Sequence, residues 1–195
     1  MRPLFTIHAG EFLVGEHIEG QFPDLNLWVP AKDTGVDLLV TDAKASKSVS
    51  LQVKLTRDYK RAHAHGEFEQ QLVAAGWLKI NHKKLENSPA DLWVIVMVSH
   101  DRRREPVFLV IPPKELLVCL TRKGEAPSYH FYPWVLKVPG TEKRVVLDGR
   151  GLLKKQCADL AVGQLALGER DLTHFMGDWR RLEELKMGNA AVVVP

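Results

Sequence analysis

The sequence contains few cysteines and no long apolar run. Its two cysteines, Cys119 and Cys157, lack the spacing of a zinc site, so we expect free thiols in a reducing compartment. The longest strongly apolar run, Leu92–Val98, is too short to cross a bilayer, and the N-terminal residues lack the apolar core of a signal peptide. The sequence therefore predicts a cytoplasmic protein without a membrane partner.

Internal repeats and low-complexity tracts are also absent from the 195 residues. Apolar residues make up 45% of the chain, enough for one sizeable core, and we expect a single domain spanning 1–195. Lys and Arg outnumber Asp and Glu by only 27 to 24, for a net charge of +3. That excess alone is too small to identify a polyanion-binding protein.

The basic residues are concentrated in one segment. Residues 1–42 contain two basic and seven acidic side chains, whereas 43–65 contain six basic side chains against Asp58 alone. Such a block favours a phosphodiester partner, although beyond Lys54 a solvated loop is an equally good interpretation. The predicted nucleic-acid contacts are Arg57, Lys60, Arg61, Lys44 and Lys47.

Two short apolar runs around a polar segment predict a β-hairpin. The first run is 34–40, the turn is 41–47 and the second strand includes 50–54. Because side chains alternate along a strand, Gln52 and Lys54 are expected to share one face of the sheet.

Asp37 lies within the first apolar run, where an unpaired charge would be costly. A carboxylate, an amide and an ammonium can converge there, so we expect Asp37, Gln52 and Lys54 to interact with one another, a metal ion or water.

A helix is expected over 7–19, ended by Gly20 and Pro23. Glu11 lies in the middle of its apolar stripe, whereas Glu16 points to the opposite side. A glutamate on the core face either pairs with a buried base or points at a metal site.

Asp37 followed by Gln52-x-Lys54 resembles the signature of the PD-(D/E)XK nuclease superfamily, which has the restriction-endonuclease-like fold. Residues 8–14 resemble the context in which an early helix of that family supplies a glutamate to the metal site. Residues 76–94 are similar to bacterial proteins of the superfamily.

The resemblance implies a metal-dependent endonuclease whose expected substrate is double-stranded DNA. The implied role is in restriction, defence or repair. Lys54 would orient the attacking water or stabilise the phosphoryl oxygens. The ion would be Mg²⁺, with Mn²⁺ as the alternative. Its implied ligands are Asp37, Glu11, the Gln52 side-chain oxygen and the Val53 carbonyl.

The sequence departs from the family pattern at two positions. Val36 stands in place of the proline, and Gln52 in place of the acidic residue. The second departure supports an alternative function, that of a catalytically impaired nuclease-fold protein that binds DNA or acts in a regulatory assembly.

The remaining segments predict an α/β fold with a central four- to five-stranded mixed β-sheet flanked by helices. The apolar strand 91–98 should be central, with 106–111 as its partner. A helix is expected over 66–75. The nuclease-like core is assigned to 1–118, and a C-terminal strand pair with helices to 119–195.

In the C-terminal part, the aromatic segment 129–138 is expected to pair with 144–147, packing on the core or stacking on bases. Helices are expected over 152–167 and after Asp171. The last helix has an apolar stripe that would pack within the chain or at a homodimer interface.

Overall fold

Two β-sheets and several helices are formed by the residues that the computed structural model describes, namely 8–32, 34–58, 70–98, 105–122, 124–152, 154–164 and 166–187. The helices are α1 (Ala9–Gln21), α2 (His82–Glu86), α3 (Pro113–Thr121), α4 (Lys154–Ala161) and α5 (Arg180–Met187). The strands are β1 (Asn26–Trp28), β2 (Leu38–Thr41), β3 (Ser48–Leu55), β4 (Arg57–Asp58), β5 (Leu72–Asn81), β6 (Leu92–Met97), β7 (Val107–Ile111), β8 (Ser128–Phe131), β9 (Pro133–Lys137) and β10 (Arg144–Asp148).

The first sheet is mixed and has the strand order β1-β2-β3-β6-β7. β2 and β3 form the predicted antiparallel hairpin, with Leu38 opposite Leu51. β6 runs parallel to β3 and antiparallel to β7, and all six of its residues are buried, as expected for a strand covered on both faces. The predicted mixed α/β class and the five-stranded mixed sheet are confirmed.

The two faces of this sheet are covered differently. One face, which includes Leu51 and Val53, packs against α1 and α5 in a single apolar cluster. The other face, which includes Trp93 and Ile95, packs against the second sheet rather than against helices alone. Leu85 of α2 and Leu116 and Leu120 of α3 also belong to this cluster, so helices flank both faces and the second sheet is an additional layer on one of them.

The second sheet is antiparallel and is organised around β5, with the order β10-β9-β5-β4 and β8 also paired to β5. β8 and β9 follow each other along the same edge of β5, and the break falls just before Pro133, which has no N–H to donate. The C-terminal strands thus complete a sheet that begins within 1–118.

The predicted helix over 66–75 is wrong from Leu72 onward, where the chain belongs to β5; residues 66–69 lie outside the described part. Val73, Ala74 and Ala75 are all buried, because β5 is enclosed by the sheet interface and by the helix α4 on its other face. Pairing with distant β9 overrides the local helical spacing.

The C-terminal helices are shorter than expected. The helix predicted over 152–167 is α4, which ends at Ala161, and the single helix expected after Asp171 is divided into a 3₁₀ turn, Thr173–Phe175, and α5. Asp171 Oδ1 does accept a hydrogen bond from Thr173 N at 2.8 Å.

Most of the apolar stripe after Asp171 is buried inside the chain. This favours the intramolecular alternative over a dimer interface. Its buried members are Leu172, Phe175, Trp179, Leu182 and Leu185.

In the described residues, no helix combines the length and the apolar composition that a membrane span requires.

Candidate functional site

A cleft of about 1130 Å³ lies between the end of β3 and one edge of β5. β4 pairs only with Trp77 and Gly76, so residues 78–81 of β5 have no strand partner on that edge within the described part of the chain. The cleft occupies this gap. All the predicted metal and catalytic positions line it, namely Glu11, Asp37, Gln52, Val53 and Lys54.

Asp37 immediately precedes β2 and therefore lies opposite Gln52 on β3. Its carboxylate Oδ2 accepts a hydrogen bond from Gln52 Nε2 and another from Val53 N at 2.7 Å. Because the amide nitrogen donates to Asp37, the Gln52 carbonyl oxygen lies at the other end of the amide. The predicted interaction of Asp37 with Gln52 is thus present as a direct hydrogen bond.

A left-handed turn positions Asp37. Gly35 has φ +87°, a conformation that favours glycine, and a Cβ at this position would lie 3.3 Å from the Pro89 ring. Asp37 N then donates to Leu51 O at 2.8 Å, which extends the hairpin by one residue.

Lys54 lies on the same face of β3 as Gln52 and is half-buried. Its ammonium is 5.7 Å from the ring centroid of Trp93, within the range of a cation–π contact. The indole is itself fixed, since Trp93 Nε1 donates to Ser88 Oγ at 2.8 Å and the residue is almost completely buried. A buried ring therefore lies beneath the lysine that was predicted to orient the attacking water or stabilise the phosphoryl oxygens.

Glu11 and Glu16 lie on the sides of α1 that the helical period predicts. Glu11 is half-buried and lines the cleft, whereas Glu16 is exposed. Glu11 reaches the site because α1 approaches β3 closely at Gly10, where a Cβ would lie 3.1 Å from Leu55 Cβ. Glu11 Oε2 also accepts a hydrogen bond from His8 N at 3.1 Å, which caps the helix.

Three further lysines, which the sequence did not identify as site residues, line the cleft. Lys79 lies on β5, and Lys83 and Lys84 lie on α2. The basic pair beside the Asn81 cap was visible in the sequence, but its position in the same cleft as Asp37 depends on how β5 pairs with β8.

The predicted nucleic-acid contacts are not all brought to this cleft. Lys47 immediately precedes β3 and lies about 23 Å from Lys54 at roughly 3.3 Å per residue, and Lys44 lies in the turn before it. Arg57 belongs to β4 and its side chain is not described, while Lys60 and Arg61 lie outside the described residues.

The oxygen atoms that line the cleft are chemically suited to bind a hard cation. Oxygen atoms of Asp37, Gln52 and Glu11 are the kind of ligand that Mg²⁺ takes. No group of three or more His, Cys, Asp or Glu side chains suited to a metal occurs among the described residues. The predicted set contains only two such side chains and would not form a group of that kind.

Comparison with known proteins finds no matching family model, no matching curated protein and no matching solved structure.

Proposed function

We propose that the chain is a metal-dependent endonuclease with a restriction-endonuclease-like core, hydrolysing phosphodiester bonds in DNA. The observation that carries this proposal is the convergence of Asp37, Gln52, Lys54 and Glu11 on one cleft, with Asp37 and Gln52 in direct contact. Hydrolysis of a phosphodiester needs an activated water and an offset for the charge that develops on the phosphoryl oxygens.

Asp37, the Gln52 carbonyl oxygen and Glu11 would hold the ion, with the Val53 carbonyl as the further predicted ligand. Mg²⁺ supplies Lewis-acid chemistry when bound. The hydrogen bonds from Gln52 Nε2 and Val53 N fix the Asp37 carboxylate, so its second oxygen has a defined direction. Lys54, held over Trp93, would donate to a phosphoryl oxygen or orient the attacking water.

A second candidate is a nuclease-fold protein that binds DNA without cleaving it. The contact between Gln52 and Asp37 favours it, because the amide and the Val53 N–H satisfy one carboxylate oxygen without any cation. A neutral amide also binds a hard cation more weakly than a carboxylate would.

Titration of plasmid cleavage against Mg²⁺ and Mn²⁺ separates the two candidates. We expect Asp37→Asn and Lys54→Ala each to lower cleavage by at least about 100-fold. Gln52→Glu adds the missing negative charge and should lower the metal concentration needed for half-maximal cleavage. Native-rate cleavage by Asp37→Asn and Lys54→Ala would overturn the assignment, and DNA binding without cleavage by any protein would favour the non-cleaving alternative.

Glu11 and Glu16 provide a matched control within one helix. Glu11→Gln should impair metal-dependent cleavage strongly, while Glu16→Gln, on the exposed side of α1, should leave it unchanged. Glu11→Gln also weakens the helix cap, so melting temperatures of both variants must be compared.

A further inference from the structure

We propose that Lys79, Lys83 and Lys84 form a phosphate-binding wall in the cleft that Asp37 also lines, and that this wall binds the backbone of the nucleic acid. These three residues are termed the lysine wall. The inference rests on the proposed function for the identity of the ligand and extends it to a binding surface on β5 and α2.

The charge balance of the cleft is the first observation. Four lysines line it against two carboxylates, Glu11 and Asp37. The three lysines of the wall are exposed, and none forms an ion pair with a described residue. Cations without a neutralising partner are available to phosphates, and the counterions condensed on the nucleic acid are released when such cations bind it.

The anchoring of α2 is the second observation. Asn81 Oδ1 accepts from Lys84 N at 3.0 Å, and His82 N donates to Pro127 O at 3.1 Å. Tyr129 OH lies 2.7 Å from His82 Nδ1 and accepts from Ala126 N at 3.2 Å. These contacts hold a five-residue helix that would not be stable alone. The lysines at its surface are therefore presented from a fixed backbone.

The unpaired edge of β5 is the third observation. Residues 78–81 line the cleft on the side opposite β8 without a strand partner in the described part of the chain. The wall thus faces open space next to Asp37, where the backbone of a substrate would have to pass. A partner with regularly spaced phosphates fits this surface better than an acidic peptide, because the cations are carried on two rigid elements rather than a loop.

Salt-dependent binding of fluorescent oligonucleotides tests the wall. Anisotropy is measured in EDTA, where no cleavage occurs, with one duplex and one single strand of the same length. We expect Lys83→Ala/Lys84→Ala to weaken binding and to reduce the magnitude of the salt slope by about 1.8 for a duplex, or about 1.4 for a single strand. The strand form that shows its corresponding change is the one the wall grips.

Lys44→Ala/Lys47→Ala removes the same charge at the other end of β3 and is the competing variant. We expect it to change the slope less than the wall variant does, and Lys83→Arg/Lys84→Arg to retain the native slope. Equal slope changes in the two alanine variants would indicate a general charge effect and overturn the proposal. An unchanged slope in the wall variant, or tighter binding of an acidic peptide than of either oligonucleotide, would also overturn it.

The salt slope measured in EDTA does not depend on whether the protein cleaves DNA. Wall-dependent binding in EDTA without cleavage at any metal concentration would retain the wall and remove the nuclease assignment. Metal-dependent cleavage with an unchanged salt slope in the wall variant would do the reverse.

Discussion

Two large clefts in the described part of the chain lie at opposite ends of β3. One, lined by Lys54 and the lysine wall, has a volume of about 1130 Å³, and the other, lined by Lys47 and Ser48, about 830 Å³. Both contain many charged side chains. The difference lies in how those charges are partnered.

In the second cleft the arginines are neutralised by carboxylates. Arg180 donates to both oxygens of Asp178 at 2.6 Å, and Arg181 lies 3.8 Å from Asp91. The lysines of the first cleft have no such partners among the described residues. Charge that is already paired contributes to the fold, whereas charge left unpaired is available to a ligand, so the first cleft is the better candidate for polyanion binding.

The largest expected effect comes from a substitution at Gly76 in β5, the strand that carries Lys79. A Cβ at Gly76 would lie 2.7 Å from Thr56 Cγ2, where β4 crosses onto β5, so Gly76→Ala must displace one strand. We expect a loss of about 1–3 kcal/mol in the free energy of unfolding and weaker DNA binding. Thermal unfolding and anisotropy measure both quantities.

Gly149→Ala is the matched control, because a Cβ there would lie 2.7 Å from the Trp134 ring, away from the residues that line either cleft. It should lower stability by a similar amount and leave binding intact. Loss of binding in both variants would mean that affinity follows stability rather than the shape of the first cleft.

An intermediate effect is expected from the ring under Lys54. Replacing Trp93 by Leu removes the cation–π contact, which is worth about 0.5–2 kcal/mol, and should lower kcat by about 2- to 30-fold with a smaller effect on KM. Trp93→Phe keeps a ring and should restore part of the rate. Ser88→Ala controls for that loss, because it removes the hydrogen bond to the indole, and with it the one from Ala90 N at 3.3 Å, but keeps the ring.

If Trp93→Phe and Trp93→Leu had equal rates in the plasmid assay, the ring would only fill space. The test concerns the first cleft, since the arginines of the second are paired with carboxylates rather than with a ring.

The smallest effect concerns the paired charges of the second cleft. The hydrogen bonds from Arg180 hold the pKa of Asp178 below its ordinary value, so the ionised carboxylate stabilises the folded chain above that value. This contribution is lost as the pH falls through the lower pKa of the folded state. Asp178→Asn should therefore lower the melting temperature by about 1–3 °C at pH 7 and by less in acid.

Melting curves between pH 7 and pH 2 measure this difference. The same variant frees Arg180 from its carboxylate. If it increased the magnitude of the salt slope for DNA binding by as much as the lysine-wall variant decreases it, the distinction between the two clefts would be contradicted.

The relation of sequence to structure differs between the two sides of the first cleft. Asp37, Gln52 and Lys54 could be grouped from the sequence because a hairpin and strand alternation are local properties. Glu11 followed from the helical period. The position of the lysine wall could not be predicted, since β5 and the helix that follows it are placed by pairing with β8, about fifty residues further along the chain.

The same cause explains the wrong helix at Leu72–Ala75. Its spacing suits a helix, but its partner is β9, and no pattern within the segment identifies a strand some sixty residues away. Gly76 directly follows the predicted helix, and in the structure it allows close contact between β5 and Thr56. Tertiary contacts, rather than local preference, decided these positions.

A single residue, Thr56, separates β3 from β4, and its N–H donates to Val96 O at 2.9 Å. One stretch of backbone is thereby hydrogen-bonded to β6 in the first sheet and to β5 in the second. A hinge motion that widened the cleft would break the hydrogen bonds of these strand pairs. We therefore expect the two sides of the cleft to keep their separation when a ligand binds. Association then requires no slow opening step, and its rate should follow diffusion and ionic strength, reaching about 10⁸–10⁹ M⁻¹s⁻¹ at low salt.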